Sequence, residues 1–150
     1  MTAYPDTSFL CALYRQQTNS PQAAAQFKAM TEPLHVTSLL LYEFRQSSRF
    51  QVWHHAHDPK KGFPETDCDK ALADLQTDLE SGAVVIVPAE WAEVHQTAER
   101  LSAAHTKAEG NRALDTLHVA TALHLKATEF LTFDERQRKL AAAEGLEVKP

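Results

Sequence analysis

The sequence predicts an α/β domain, a three-layer sandwich in which a central parallel sheet is covered by helices on both faces. Three observations lead there. Short apolar runs alternate with helix-length stretches along the whole chain, the pattern of a parallel sheet with crossover helices. AVVIVP at Ala83 to Pro88 and FLTF at Phe130 to Phe133 are apolar on both faces, as buried parallel strands require. Only four glycines occur, and no repeat or Gly/Ser-rich linker divides the chain.

The elements follow in order. A first short strand ends at Pro5, whose missing N–H suits a strand terminus better than a strand interior. SFLCALYRQQ then reads as a helix, and Asn19-Ser20-Pro21 starts a second one, QAAAQFKAM. LHVTS around Val36 is a short strand feeding the helix LLLYEFRQSSRF. WHHAHDPKKGFPET is the least regular segment and reads as an exposed loop or a dimer contact. DKALADLQTDLESG carries Leu72, Leu75 and Leu79 on one helical stripe, closed by Gly82. The AVVIVP strand, the helices WAEVHQTAERLSAAH and RALDTLHVATALHLKA, and the FLTF strand come next. The helix DERQRKLAAAEG and a final edge strand, LEVK, complete the order.

At 150 residues the chain fits one domain, residues 1–150, able to bury roughly two-thirds of its unfolded surface without staples. Cys11 and Cys68 lie in helix-like stretches without a partner motif and read as free thiols of a reducing compartment. MTAYPDTSFL lacks the charged-then-apolar order of a signal peptide, and no apolar run could cross a bilayer. The expectation is a cytoplasmic protein with no membrane association. A net charge of −5 argues against a simple electrostatic binder of nucleic acid, unless several of the acids surround a cation.

Ligands of open parallel sheets bind beyond the carboxyl ends of the strands. Asp6, Glu43, Asp115 and Asp134 all fall at or near that rim. Taken singly, Asp6 and Asp134 read as helix caps, and Asp134 with Gln137 forms a capping-box pattern. Glu43 and Asp115, however, are set among leucines and aromatics, where an acid calls for a partner, a metal or a rim. Carboxylates converging on one rim repel unless a cation neutralises them, and all-oxygen donors suit Mg²⁺ or Mn²⁺. Such an ion lowers the pKa of a bound water and clamps phosphodiester oxygens during in-line displacement. GxSxG, a P-loop and GxGxxG are all absent, so nucleophilic and nucleotide-binding alternatives have no motif here. A metal-dependent phosphatase would want Asp-x-Asp after the first strand, whereas this chain has Asp6-Thr7-Ser8.

DTSFL at Asp6, YEFRQSSRF around Glu43, ALDTLHVATAL around Asp115 and FLTFDERQRKLA around Asp134 together resemble the signature blocks of PIN domains, in the family's order. The similarity spans essentially the whole chain and is nearest to single-domain prokaryotic members, including VapC-type toxins. DTS alone is unspecific; Arg112 to Ala122 followed by L-T-F-D-x-R-Q is far more so. The resemblance implies a Mg²⁺- or Mn²⁺-dependent endoribonuclease, often a homodimer, held in check by a small antitoxin. It implies that Asp6, Glu43, Asp115 and Asp134 bind the metal and catalyse, with Ser8 and Thr132 as accessory polar residues. A catalytically silent PIN module that binds RNA or a protein is the alternative. Pro5 stands where the family has an aliphatic residue, and Gln46-Ser47 where Asn-Ala is common.

His118, three residues after Asp115, shares its helical face and reads as a satisfied, half-buried accessory residue. His54, His55 and His57 lack a second ligand pair at zinc spacing and read as part of the loop. Arg45, Arg49 and Arg112, with Lys60, Lys61 and Lys107, are the basic residues expected near the rim, the arginines as RNA contacts. Arg136 and Arg138 are expected to face their own helix C-terminus or solvent.

Overall fold

The computed structural model of the protein describes residues 2–150. Its strands are β1 (Ala3–Pro5), β2 (Leu34–Val36), β3 (Val84–Ile86), β4 (Glu129–Leu131) and β5 (Glu147–Lys149). Every hydrogen-bonded pair is parallel: β1 with β4, β4 with β5, and β2 with β3. The helices are α1 (Thr7–Tyr14), α2 (Ser20–Ala29), α3 (Ser38–His57), α4 (Glu65–Ser81), α5 (Trp91–Leu101), α6 (Lys107–Glu109), α7 (Ala113–His124) and α8 (Glu135–Ala143). A π-turn over Ser102–Thr106 joins α5 to α6. The predicted α/β class with a parallel sheet is therefore the observed one.

Helices α1 to α4 pack against one another, and α7 packs against α5 and α8, giving two helical groups. Tyr4, Phe130 and Leu131 of the strands are wholly buried together with Phe9, Leu10, Leu40, Phe44 and Val119 of the helices. Pro5 has a visible consequence for the sheet. Asp6 donates its N–H to Leu131 O, so alternate residues of β1 face β4. Pro5 has the opposite parity and points at β2, which lies alongside β1 without a hydrogen-bonded ladder. The Tyr4 hydroxyl spans this seam to Thr37 Oγ1 at 2.9 Å, and burial holds its pKa well above the usual phenol value.

Two elements differ from the sequence reading. WHHAH is not a loop: α3 runs on to His57. Side chains three and four apart pack along its last turns: Phe50 stacks on Trp53, His54 meets Phe50 edge-on, and His57 lies tilted against Trp53. Histidines at a helix C-terminus also suit the macrodipole, so composition that looked irregular is compatible with a helix end. AVVIVP is shorter and less buried than predicted, because β3 has only β2 as a neighbour and Ile86 is 54 % exposed. Its apolar run serves an edge strand. Cys11 and Cys68 are free and buried, as expected. Among the described residues no helix is long and apolar enough to cross a membrane.

Candidate active site

Parallel strands end on the same side of a sheet, so the residues that follow them gather there. Asp6 directly follows β1, Thr132 directly follows β4, and Thr37 follows β2 as the N-cap of α3. Asp6 is fully buried at this rim. Its Oδ1 accepts from the Phe9 amide at 3.0 Å and from Ser8 Oγ at 2.6 Å; its Oδ2 accepts from Thr132 Oγ1 at 2.5 Å. The N-cap role and the rim position thus coincide in one carboxylate. The same Thr132 hydroxyl accepts from the Asp134 amide at 2.9 Å, and Ser8 Oγ accepts from the Phe133 amide at 2.9 Å. Phe9 and Phe133 stack 6.1 Å apart behind them. Ser8 and Thr132 consequently stitch the start of α1 to the β4–α8 turn.

A second cluster faces this one. His118, fully buried on α7, donates through Nε2 to Glu43 Oε2 on α3, since a carboxylate only accepts. Thr7 Oγ1 donates to the same oxygen at 2.7 Å. This contact joins the two helical groups across the strand ends. His118 is more buried than the sequence suggested and only half satisfied, for its Nδ1 has no hydrogen-bond partner among the described residues. Thr7 was not singled out in the sequence. Its position between Asp6 and Ser8, at the first turn of a helix leaving the rim, is the signal that points to it.

Asp115 is buried on α7, one turn before His118, and its Oδ2 accepts from the Arg112 amide at 3.0 Å. Asp134 is the N-cap of α8, its Oδ1 accepting from the Arg136 and Gln137 amides at 2.9 and 3.0 Å. Among the described residues no three His, Cys, Asp or Glu side chains close into a ready-made cation cage. The donor chemistry nevertheless fits a hard cation. Among the described residues, Glu43, Asp115 and Asp134 each commit one oxygen to the fold and leave the other without a protein hydrogen bond.

The basic residues are less concentrated than expected. Arg112 is exposed beside Asp115, its Nε 3.9 Å from Oδ2. Arg45 is half-buried and Arg49 exposed on α3, the latter close enough to influence the Cys68 thiol on α4. Lys60 and Lys61 lie beyond the end of α3, and Lys107 is exposed on α6. Arg138 does not behave as predicted: its guanidinium donates to Thr132 O at 3.1 Å and pairs with Glu135, fastening α8 to the rim. The Thr132 carbonyl, just past the end of β4, is a fixed acceptor within its reach.

The two central acids are tuned in opposite directions. Burial pushes the Asp6 carboxyl up, against hydrogen bonds from Ser8, Thr132 and the Phe9 amide and the charge of His118. Burial also raises Glu43, but hydrogen bonding and charge from His118, with Thr7, outweigh it and hold that carboxyl below its usual range. Asp6 therefore contributes stability below its ordinary 3.8 that is lost as pH rises through its folded-state pKa. Glu43 contributes stability above its ordinary 4.5 that is lost as pH falls through its folded-state pKa. In metal-free thermal melts, Asp6→Asn is expected to gain on the wild type as pH rises above its ordinary 3.8, whereas Glu43→Gln is expected to gain on it only as pH falls below 4.5 and to hold a constant difference above that. Slopes of the same sign for both variants contradict the opposite tuning.

Comparison with known proteins agrees with this fold. A family model described as PIN domain matches residues 3–143. No curated protein sequence matches the chain. Among solved structures, VapC20 of Mycobacterium tuberculosis, described as a sarcin-ricin loop cleaving toxin, is similar with a TM-score of 0.66 and 18 % identity. That likeness covers 99 % of this chain and 100 % of the other. VapBC-1 of nontypeable Haemophilus influenzae gives a TM-score of 0.63 at 14 % identity, covering 99 % and 97 % of the two chains. FitAcB of Neisseria gonorrhoeae gives 0.62 at 16 %, with the same coverage. At these identities the structures speak for the fold alone. The family model reaches from β1 to the end of α8 and takes in Asp6, Glu43, Asp115 and Asp134, and the chain belongs to the PIN domain family.

Proposed function

We propose that this protein is a divalent-metal-dependent endoribonuclease, using Mg²⁺ or Mn²⁺, and the toxin of a type II toxin–antitoxin pair. The observation that carries the reading is the buried Asp6 at the carboxyl end of β1. Thr7 and His118 tie Glu43 to the start of α1, Asp134 caps the helix after β4, and Asp115 sits one turn before His118. Among the described residues each of these three acids keeps one oxygen free of protein hydrogen bonds. The similarity to VapC20, VapBC-1 and FitAcB supports a nuclease acting on RNA and a small antitoxin partner. A homodimer is part of the same reading.

Asp6, Glu43, Asp115 and Asp134 would hold the cation, which would lower the pKa of water and stabilise charge on the phosphodiester oxygens. Ser8 and Thr132 fix both oxygens of Asp6, so that carboxylate needs no reorganisation before reaction. Thr7 and His118 fix one oxygen of Glu43 in the same manner. Arg112 is the exposed cation nearest Asp115 and is assigned to the RNA backbone.

RNA cleavage that requires added Mg²⁺ or Mn²⁺ and disappears in EDTA is the expected result. Cleavage undiminished in EDTA rules the mechanism out, and absent cleavage under all metals favours a silent PIN module. Asp134 gives a sharper test, because asparagine caps helices about as well as aspartate. Metal-free Asp134→Asn is expected to melt within roughly 0.5 kcal/mol of the wild type. Its cleavage is expected to fall at least about tenfold, since an amide is a poorer partner for a cation. Unchanged cleavage returns Asp134 to being a cap only.

A further inference from the structure

The outer face of α3 carries a feature that catalysis at the rim does not use. Among the described residues, three of the five large apolar side chains left exposed lie on this helix: Tyr42 at 64 %, Phe50 at 49 % and Trp53 at 52 %. At 3.6 residues per turn, positions 42, 49, 50, 53 and 57 fall along one face. Phe50, Trp53 and His57 are in ring-to-ring contact, and Tyr42 stands by itself about two turns nearer the rim. Phe50 and Trp53 are 5.4 Å apart and parallel to within 5°, and His57 lies 4.2 Å beyond Trp53. Among the described residues the aromatic contacts of Phe50 and Trp53 are with one another and with His54 and His57 of the same helix, and both side chains stay about half exposed.

Charge distinguishes the occupant. Between residues 45 and 61 the chain has Arg45, Arg49, Lys60 and Lys61 against the single acid Asp58, although the protein as a whole carries −5. Among the described residues none of these four cations is ion-paired, whereas the acids Glu65 and Asp69 bound the face on the α4 side. Half-exposed aromatic rings interleaved with unpaired cations suit a polyanion that offers flat faces, which is unpaired nucleic acid. Tyr42 adjoins Glu43, so one end of the face begins at the carboxylate rim. Trp53 lies about 16 Å further along the helix axis.

We propose that the α3 face from Tyr42 to His57 is a track for single-stranded RNA leading to the carboxylate site. Bases stack on Phe50 and Trp53, and Arg45 and Arg49 contact phosphates. Only the choice of RNA over DNA rests on the nuclease reading. A protein partner, including a second copy of this chain, is the competing occupant.

Binding of a fluorescein-labelled single-stranded oligouridylate in EDTA isolates the track from cleavage. Phe50→Ala/Trp53→Ala is expected to weaken binding at least about tenfold. Arg49→Gln is expected to reduce the salt slope by about one. Trp53→Phe keeps a stacking ring and is expected to recover most of the affinity. In a Trp91→Phe background, which leaves Trp53 as the sole indole, its emission is expected to quench as RNA saturates. Equal affinity of wild type and the double alanine variant overturns the track, as does Trp53 emission unmoved at saturation. A double variant that turns a dimer into a monomer without weakening RNA binding assigns the face to a second copy instead. Track binding without metal-dependent cleavage overturns the nuclease reading and leaves the track standing; cleavage with binding indifferent to these variants does the reverse.

Discussion

Asp6→Asn is expected to lower metal-dependent RNA cleavage by at least about 100-fold, some 2.7 kcal/mol of transition-state stabilisation. The substitution keeps the shape of the side chain. Asparagine Oδ1 can still accept from Ser8 and the Phe9 amide, and its Nδ2 can donate to the Thr132 hydroxyl, so the local network has a neutral substitute. What is lost is charge at the most enclosed point of the rim, where burial makes a carboxylate costly without a cation. Single-turnover cleavage with excess enzyme measures this, and thermal melts run beside it separate chemistry from folding. An Asp6→Asn variant that is folded and fully active removes Asp6 from the mechanism. The consequence would extend to Ser8 and Thr132, whose assigned purpose is to hold that carboxylate.

Phe44→Ala is expected to destabilise the protein by about 3–5 kcal/mol, lowering its melting temperature by at least roughly 6 °C. Phe44 is fully buried, next to Glu43 on α3, and its ring lies 5.8 Å from that of Tyr14 on α1. Truncation removes the apolar burial and leaves a cavity that the packed helices α1 and α3 fill only in part. Phe44→Leu keeps most of the volume and should cost about 1.5 kcal/mol or less. Urea titrations at 25 °C report both values. A loss under about 1 kcal/mol for the alanine variant means that the α1–α3 interface is not packed as described. Residual cleavage measured well below the melting temperature tells whether Glu43 keeps its position when its neighbour is gone.

Much of this protein was legible in the chain itself because its signals are local. Period and run length placed nearly every helix and strand, since one buried face dictates where apolar residues recur. Gly82 was read as a helix terminator and adopts the left-handed conformation that ends α4. Asp6 and Asp134 were recognised both as caps and as rim acids, and the structure shows both as caps. The segment after Phe50 was misread because three histidines, a proline and two lysines look like a loop by composition, while the stacking that sustains α3 is a property of side chains in space. The burial of β3 was overestimated for a related reason. A sequence shows that a strand is apolar but not how many neighbours it has.

The sequence alone determined the α/β class, the order of elements and the acids that follow the strands, because these depend on periodicity and chain order. The tertiary structure alone decided how those acids are used. It set Glu43 against His118, from helices of the two separate groups, and tied Asp6 to Thr132 between the neighbouring strand ends of β1 and β4. Residues 75 and 126 positions apart meet only because parallel strands end on one side. The same packing gave two carboxylates of like chemistry opposite pKa shifts, through depth of burial and the donors each happens to face.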